Sequence, residues 1–201
     1  MAKAKKRLKV KQKTSSLKKK KLISKSSKKS VKQPAGKHKK GKVPAIPKGY
    51  HSITPYLIVH QAKQAIQFYK DVFNAKEILR MEHPKSGKVT HAELKIGDAK
   101  VMLADVCPQM DARSPRDLGG SPVGIHLYIK NVDAVVERAV AAGAKLLRPI
   151  ENMFYGDRSG ALEDPYGHKW YVSTHIENVS MAKTKKRAAE WYEKNPSREE
   201  N

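Results

Sequence analysis

The chain has 201 residues, a formal net charge of +23 and one cysteine, Cys107. That length suits one ordinary domain with appendages, and a lone cysteine excludes an intrachain disulfide. No apolar run approaches the ~20 residues a membrane-crossing helix needs, and the start lacks the apolar core of a secretory signal, so a cytoplasmic protein is expected.

The charge is unevenly placed. Residues 1–50 hold 19 Lys, one Arg and no acid, which leaves 22 basic against 19 acidic side chains in 51–201. Residues 1–48 read as a disordered basic tail. Lys18, Lys19, Lys20, Lys21, Lys28, Lys29, Lys39 and Lys40 stand among Ser, Ala, Pro and Gly, with no sustained apolar period. Such a segment cannot bury enough apolar surface to offset its ordering entropy. Clustered lysines neutralise phosphates and release counterions, so these eight are the candidate nucleic-acid contacts. If the partner is DNA, the protein is expected to be nucleoid-associated. An anionic membrane surface is a weaker candidate, because no apolar anchor accompanies the lysines.

Residues 49–178 read as the folded domain. Ser52–Val59 alternates as a strand, with Pro55 pointing to an edge. Ala62–Asn74 then switches period: Ala65, Ile66, Tyr69, Val72 and Phe73 form one face of an amphipathic helix. Strands are predicted at Glu77–Met81, Val89–Ile96 and Lys100–Asp105, separated by turns at Lys85-Ser86-Gly87 and Gly97-Asp98. Met110–Ser121 is a linker. The order then repeats, with a strand at Pro122–Lys130, a helix at Asp133–Ala142 closed by Gly143, and strands at Lys145–Ile150, Arg158–Glu163 and Lys169–Thr174. Asp164-Pro165-Tyr166-Gly167 is the tight turn before the last strand.

The predicted fold is α+β: two βαβββ modules forming a cupped sheet around a shared cavity, preceded by the Lys-rich tail and followed by a C-terminal helix. Residues 179–201 form that basic helix and the chain end. Ser180 caps it, it runs to about Asn195, and Met181, Ala188, Trp191 and Tyr192 give it a partial apolar face for docking on the domain or on a partner subunit. Strand alternation turns Ile53, Leu57, Val59, Ile125, Leu127 and Ile129 toward the helices. It turns Thr54, Tyr56, Ile58, Gly124, His126 and Tyr128 toward the cavity. His126 is the candidate general base, since imidazole titrates near neutrality. Tyr56, His91, Asp105, Tyr128, Arg158 and Tyr171 are the candidate substrate-binding residues. Each of three has a structural alternative: His91 satisfied by a neighbour, Asp105 capping a loop, Arg158 paired with a carboxylate. Trp170 reads as core, His168 as an exposed turn residue, and Cys107 as unactivated.

The paired modules, Ala65-Ile66-Gln67-Phe68-Tyr69 and Asp164-Pro165-Tyr166-Gly167-His168 are similar to the vicinal oxygen chelate (glyoxalase/bleomycin resistance/dioxygenase) superfamily. Thr54-Pro55-Tyr56-Leu57, His91-Ala92-Glu93-Leu94, Met102-Leu103-Ala104-Asp105, Gly156-Asp157-Arg158 and the run through Trp170 resemble its PhnB-like subgroup. The resemblance covers about residues 52–178. It implies a divalent metal held by one His or Glu from each of four strands, acting as a Lewis acid. Carried onto this chain, those positions fall on Thr54, near Met102 or Ala104, on Gly124 and on Tyr171. None is a good ligand, so no metal and no other cofactor is expected. The function this implies is binding of an unidentified small molecule without the usual metal, in a homodimer whose tail contacts nucleic acid. The alternatives are a metal-dependent lyase or transferase with relocated ligands among His126, His91, Glu93 and Asp105, or a nucleic-acid-associated protein using the domain as a dimerisation scaffold.

Overall fold

The computed structural model describes residues 43–196. The eight tail lysines singled out above lie outside the described residues. The first half runs β1 (Tyr56–Val59), α1 (Ala62–Phe73), β2 (Lys76–Glu82), β3 (Val89–Ile96) and β4 (Ala99–Asp105). Two short 3-10 turns, Pro108–Met110 and Pro115–Leu118, occupy the linker. The second half runs β5 (Gly124–Tyr128), α2 (Val132–Ala141), β6 (Lys145–Asn152), β7 (Asp157–Glu163) and β8 (Lys169–His175), and α3 (Met181–Lys194) follows. No helix among the described residues is long and apolar enough to cross a membrane.

Each half is a four-stranded sheet, in the orders β1-β4-β3-β2 and β5-β8-β7-β6. Three consecutive strands form an antiparallel meander, and the first lies parallel to the last, with its helix as the crossover. β1 is shorter than expected. Pro55 cannot donate to a ladder, but its carbonyl accepts from Met102 N at 2.9 Å, and regular pairing begins at the next residue. Ile53, expected to face the helix, therefore precedes the strand and is 86% exposed.

The apolar period of α1 becomes its buried face: Ala65, Ile66, Tyr69, Val72 and Phe73 are at most 2% exposed. Burying each large member contributes about 1.5–3 kcal/mol. The helix starts where Asp105 Oδ1 accepts from Ala62 N at 2.9 Å, a carboxylate at the positive end of the helix dipole. In α2, the Asn131 side chain accepts from Ala134 N, and Gly143 at φ 94° supplies the left-handed residue that ends it.

One core spans both halves. Phe73 packs on Trp170 at 4.7 Å between ring centroids, and Arg138 of α2 donates to the Val72 carbonyl of α1. The turn before β8 anchors this junction. Asp164 is 3% exposed and accepts from Tyr69 Oη (2.6 Å), Trp170 Nε1 (2.9 Å), Tyr166 N (2.9 Å) and His168 N (3.0 Å). His168, expected to be exposed, is half-buried and bonded to the Ile58 carbonyl. α3 is capped by Ser180 and docks through Phe154 against Trp191 and Tyr192.

Candidate functional site

Each sheet has one face covered by helices and one open face, and the chemistry lies on the open faces. On the first, Tyr56 Oη lies 3.0 Å from His91 Nδ1, and His91 Nε2 lies 3.5 Å from Glu93 Oε1. Glu93 also accepts from Tyr50 Oη and from Lys100 Nζ, and the Lys100 ammonium stands 3.6 Å over the Tyr50 ring. The hydrogen bonds from Tyr50 and Lys100 hold the Glu93 carboxyl below the usual range, so it is ionised at neutral pH. A carboxylate facing Nε2 favours the proton there and leaves Nδ1 to accept from Tyr56. Burial pushes the Tyr56 phenol up, so it stays a hydrogen-bond donor at neutral pH.

The Tyr56 end of this line borders a cavity of about 690 Å³ whose lining residues all lie between Tyr56 and Ala112. Its floor is Ile58 and Ala104 from the open face. The 106–112 loop, with Cys107 and Met110, forms one wall, and His83 and Lys88 of the β2–β3 hairpin form another. The volume falls in the range of ligand pockets. Asp105 reaches the same cavity, but both its carboxylate oxygens are engaged by backbone, Oδ1 by Ala62 N and Oδ2 by Val89 N at 2.7 Å. The capping alternative for Asp105 is the one its geometry matches.

On the second open face, His126 stacks between Tyr128 (4.8 Å) and Tyr171 (6.3 Å, interplanar 25°). Tyr128 Oη donates to Asp157 Oδ2 at 2.8 Å, and His175 Nδ1 meets Asp157 Oδ1 at 2.7 Å. Hydrogen bonds to Asn178 and to Asp157 push His175 above its ordinary value. Every hydrogen bond and ring contact made by the side chains of His126, Tyr128 and Tyr171 stays within the second half, and those of Tyr56 and His91 stay within the first. The expected site residues thus form two clusters. Arg158 belongs to neither: it lies on the helix side, forked onto Asp133 of α2 at 2.7 and 2.5 Å, and also bonded to Asn152. Tyr50, Lys100, Asp157, His175 and Arg148 were not among the sequence candidates.

The four positions at which the resemblance would put metal ligands form two pairs. Thr54 and Met102 line one cavity of about 440 Å³ in the first half. In the second half the Tyr171 ring lies directly over Gly124, so that a β-carbon at 124 would overlap it. A hydroxyl, a thioether (or, at Ala104, a methyl), a hydrogen atom and a phenol are not a donor set for a divalent transition metal. Among the described residues, no group of three or more His, Cys, Asp or Glu side chains is arranged to hold an ion elsewhere. The residues present do not fit the metal.

Comparison with known proteins agrees with this architecture. Residues 49–172 match the Glyoxalase/Bleomycin resistance protein/Dioxygenase superfamily. Uncharacterized proteins Mb0911c of Mycobacterium bovis and Rv0887c of Mycobacterium tuberculosis are each 41% identical over 133 residues, covering 65% of this chain and 87% and 78% of those proteins. A gene product of Arabidopsis thaliana superposes with a TM-score of 0.51 at 28% identity, over 62% of this chain and 98% of that one. A PhnB protein from Bacillus cereus gives 0.50 at 19% identity, over 62% and 99%, a likeness of fold.

Proposed function

The chain belongs to the glyoxalase/bleomycin resistance protein/dioxygenase superfamily, and from that premise we propose that it binds a small organic molecule in the first-half cavity without the family's divalent metal. The observation that carries this reading is the Tyr56–His91–Glu93 line at the cavity wall. A phenol that gives its one proton to an imidazole oriented by an ionised carboxylate turns its oxygen lone pairs outward and offers a directed hydrogen-bond acceptor to a ligand N–H or O–H. The ligand would thus meet a fixed acceptor at Tyr56 rather than a Lewis acid. The aliphatic and thioether side chains of Ile58, Ala104, Val106 and Met110 supply the apolar lining that excludes water.

Native mass spectrometry and metal analysis of the purified full chain test this reading, with Ala104→Trp as a variant that fills the cavity. The expected result is a retained small molecule, lost in Ala104→Trp, and no stoichiometric metal. One divalent ion per chain would overturn the metal-free reading, and equal retention by the filled variant would overturn the cavity.

The composition of residues 1–48 supports a second activity, salt-sensitive contact with nucleic acid through Lys18–Lys21, Lys28, Lys29, Lys39 and Lys40. DNA affinity of the full chain and of residues 49–201, compared across salt concentration, should differ steeply at low salt; equal affinities would sink this activity. A homodimer also suits the exposed apolar side chains of edge strand β2, Ile78 at 51%, Leu79 at 42% and Met81 at 54% exposure. Light scattering on the eluting protein reads its mass directly.

A further inference from the structure

We propose that the open face of the β5–β8 sheet is a separate binding site for a small oxyanion carried on a flat unsaturated ring, with Arg148 as its anchor. This site shares no residue with the first-half cavity and stands without it. The strand register sets four residues in a row across the face: His126 beside Tyr171, Tyr171 beside Ala161, Ala161 beside Arg148. Neighbouring strands lie about 4.8 Å apart, so the backbones at Tyr171 and Arg148 stand roughly 10 Å apart. Only the methyl of Ala161 rises between them.

One end of the row is aromatic. Tyr128, His126 and Tyr171 form a shelf of three rings, and Gly124 gives the Tyr171 ring the space to lie flat. A flat ligand stacks on such a shelf. The other end is cationic and incompletely satisfied. Arg148 is half-buried, and its guanidinium makes one hydrogen bond, from Nη2 to Ser159 Oγ at 3.1 Å. Its Nε is buried without a hydrogen-bond partner among the described residues. Ser159 accepts in turn from Ser173 Oγ at 2.8 Å, and both serines are fully buried, so the arginine head rests on a fixed base. The buried Asp157 directs its two oxygens to Tyr128 and His175 instead. A half-buried guanidinium with a buried N–H left unbonded favours an anion, and its planar fork matches two coplanar oxygens of a carboxylate or phosphoryl group.

Calorimetric titration of the full chain at moderate salt tests the site with four probes: benzoate, phenyl phosphate, acetate and benzyl alcohol. Every variant carries the same basic tail, so differences between variants isolate the site. At least one aromatic anion should bind, and the stronger of benzoate and phenyl phosphate identifies the anion type. Arg148→Met should weaken that binding about tenfold or more, and Arg148→Lys, which keeps charge but loses the fork, should weaken it less. Tyr171→Leu should weaken the aromatic anions and leave acetate unchanged. Ala104→Trp, which fills the other cavity, should change nothing here. Equal affinity in Arg148→Met, benzyl alcohol binding as tightly as benzoate, or no aromatic anion bound by the unmodified chain would each overturn the proposal. If Arg148→Met does not fold, Arg148→Lys carries the comparison, and affinity unchanged in it would overturn the fork.

Discussion

The Tyr171 ring lies across the α-carbon of Gly124 on the neighbouring parallel strand, in the space that any side chain at 124 would occupy. Gly124→Ala should therefore destabilise the protein by about 1 kcal/mol, because the ring must move off its shelf. Tyr171→Ala alone should cost little, since the ring is 41% exposed. In the double variant the penalty at 124 should vanish. Denaturant titration of all four proteins measures this coupling, and additive effects would contradict the contact.

Asp164 gathers four donors in the junction between the halves, from α1, from β8 and from its own turn. Asp164→Ala leaves the buried Tyr69 hydroxyl and Trp170 indole unpaired and should cost about 3–5 kcal/mol. Tyr69→Phe removes one donor and should cost about 1 kcal/mol. Chemical denaturation checks both, and similar losses for the two would refute the hub.

His175 gives the second open face a pH dependence. Its folded-state value is raised above the ordinary 6.5 by bonds to Asn178 and Asp157. A raised value means that the stabilisation is fully present below about 6.5 and is lost as pH rises through the folded value. Thermal melts of the unmodified chain and of His175→Gln should differ most near pH 6 and converge toward pH 8.5. A gap that widens with pH would reverse the assignment.

The docking of α3 depends on Glu177. Hydrogen bonds from Arg187, then from Lys183, hold its carboxyl down at about 2. A depressed value means the interaction is intact above the ordinary carboxylate range and fails as pH falls toward 2. At pH 7, Glu177→Gln should speed amide exchange across Met181–Lys194 while the main melting transition stays in place. Unchanged exchange would show that the Phe154–Trp191–Tyr192 cluster holds the helix by itself.

Period and punctuation made most of the fold legible. Val89–Ile96 coincides with β3 residue for residue, and α1 and α2 lie within one residue of expectation at each end. The errors fall where a strand edge or a bulge resets the alternation. A strand begun at Arg158 leaves Asp157, the first residue of β7, off the open face, and one ended at Thr174 hides His175, the last of β8. Continuing the alternation Tyr171, Ser173, His175 by one step would have found the histidine. Arg148 was hidden by the register shifts around it in β6, which no pattern of apolar residues announces. Tyr50 precedes any periodic segment, so only the folded chain brings it to Glu93. Arg158 takes up its structural alternative, pairing with the carboxylate of Asp133.

The parallel pairing of first and last strands in each half also sets an order of assembly. β2, β3 and β4 meet their neighbours across short turns, whereas β1 must wait for β4, and β5 for β8. Closing those longer loops costs chain entropy that the meanders do not bear. Truncating Leu57 in β1 should then mainly accelerate unfolding, and truncating Leu94 in β3 should slow folding, a contrast that stopped-flow chevrons resolve. On a growing chain, each half exposes an unpaired leading strand until its final strand has emerged. The two strands that frame the open faces are thus the last to be secured.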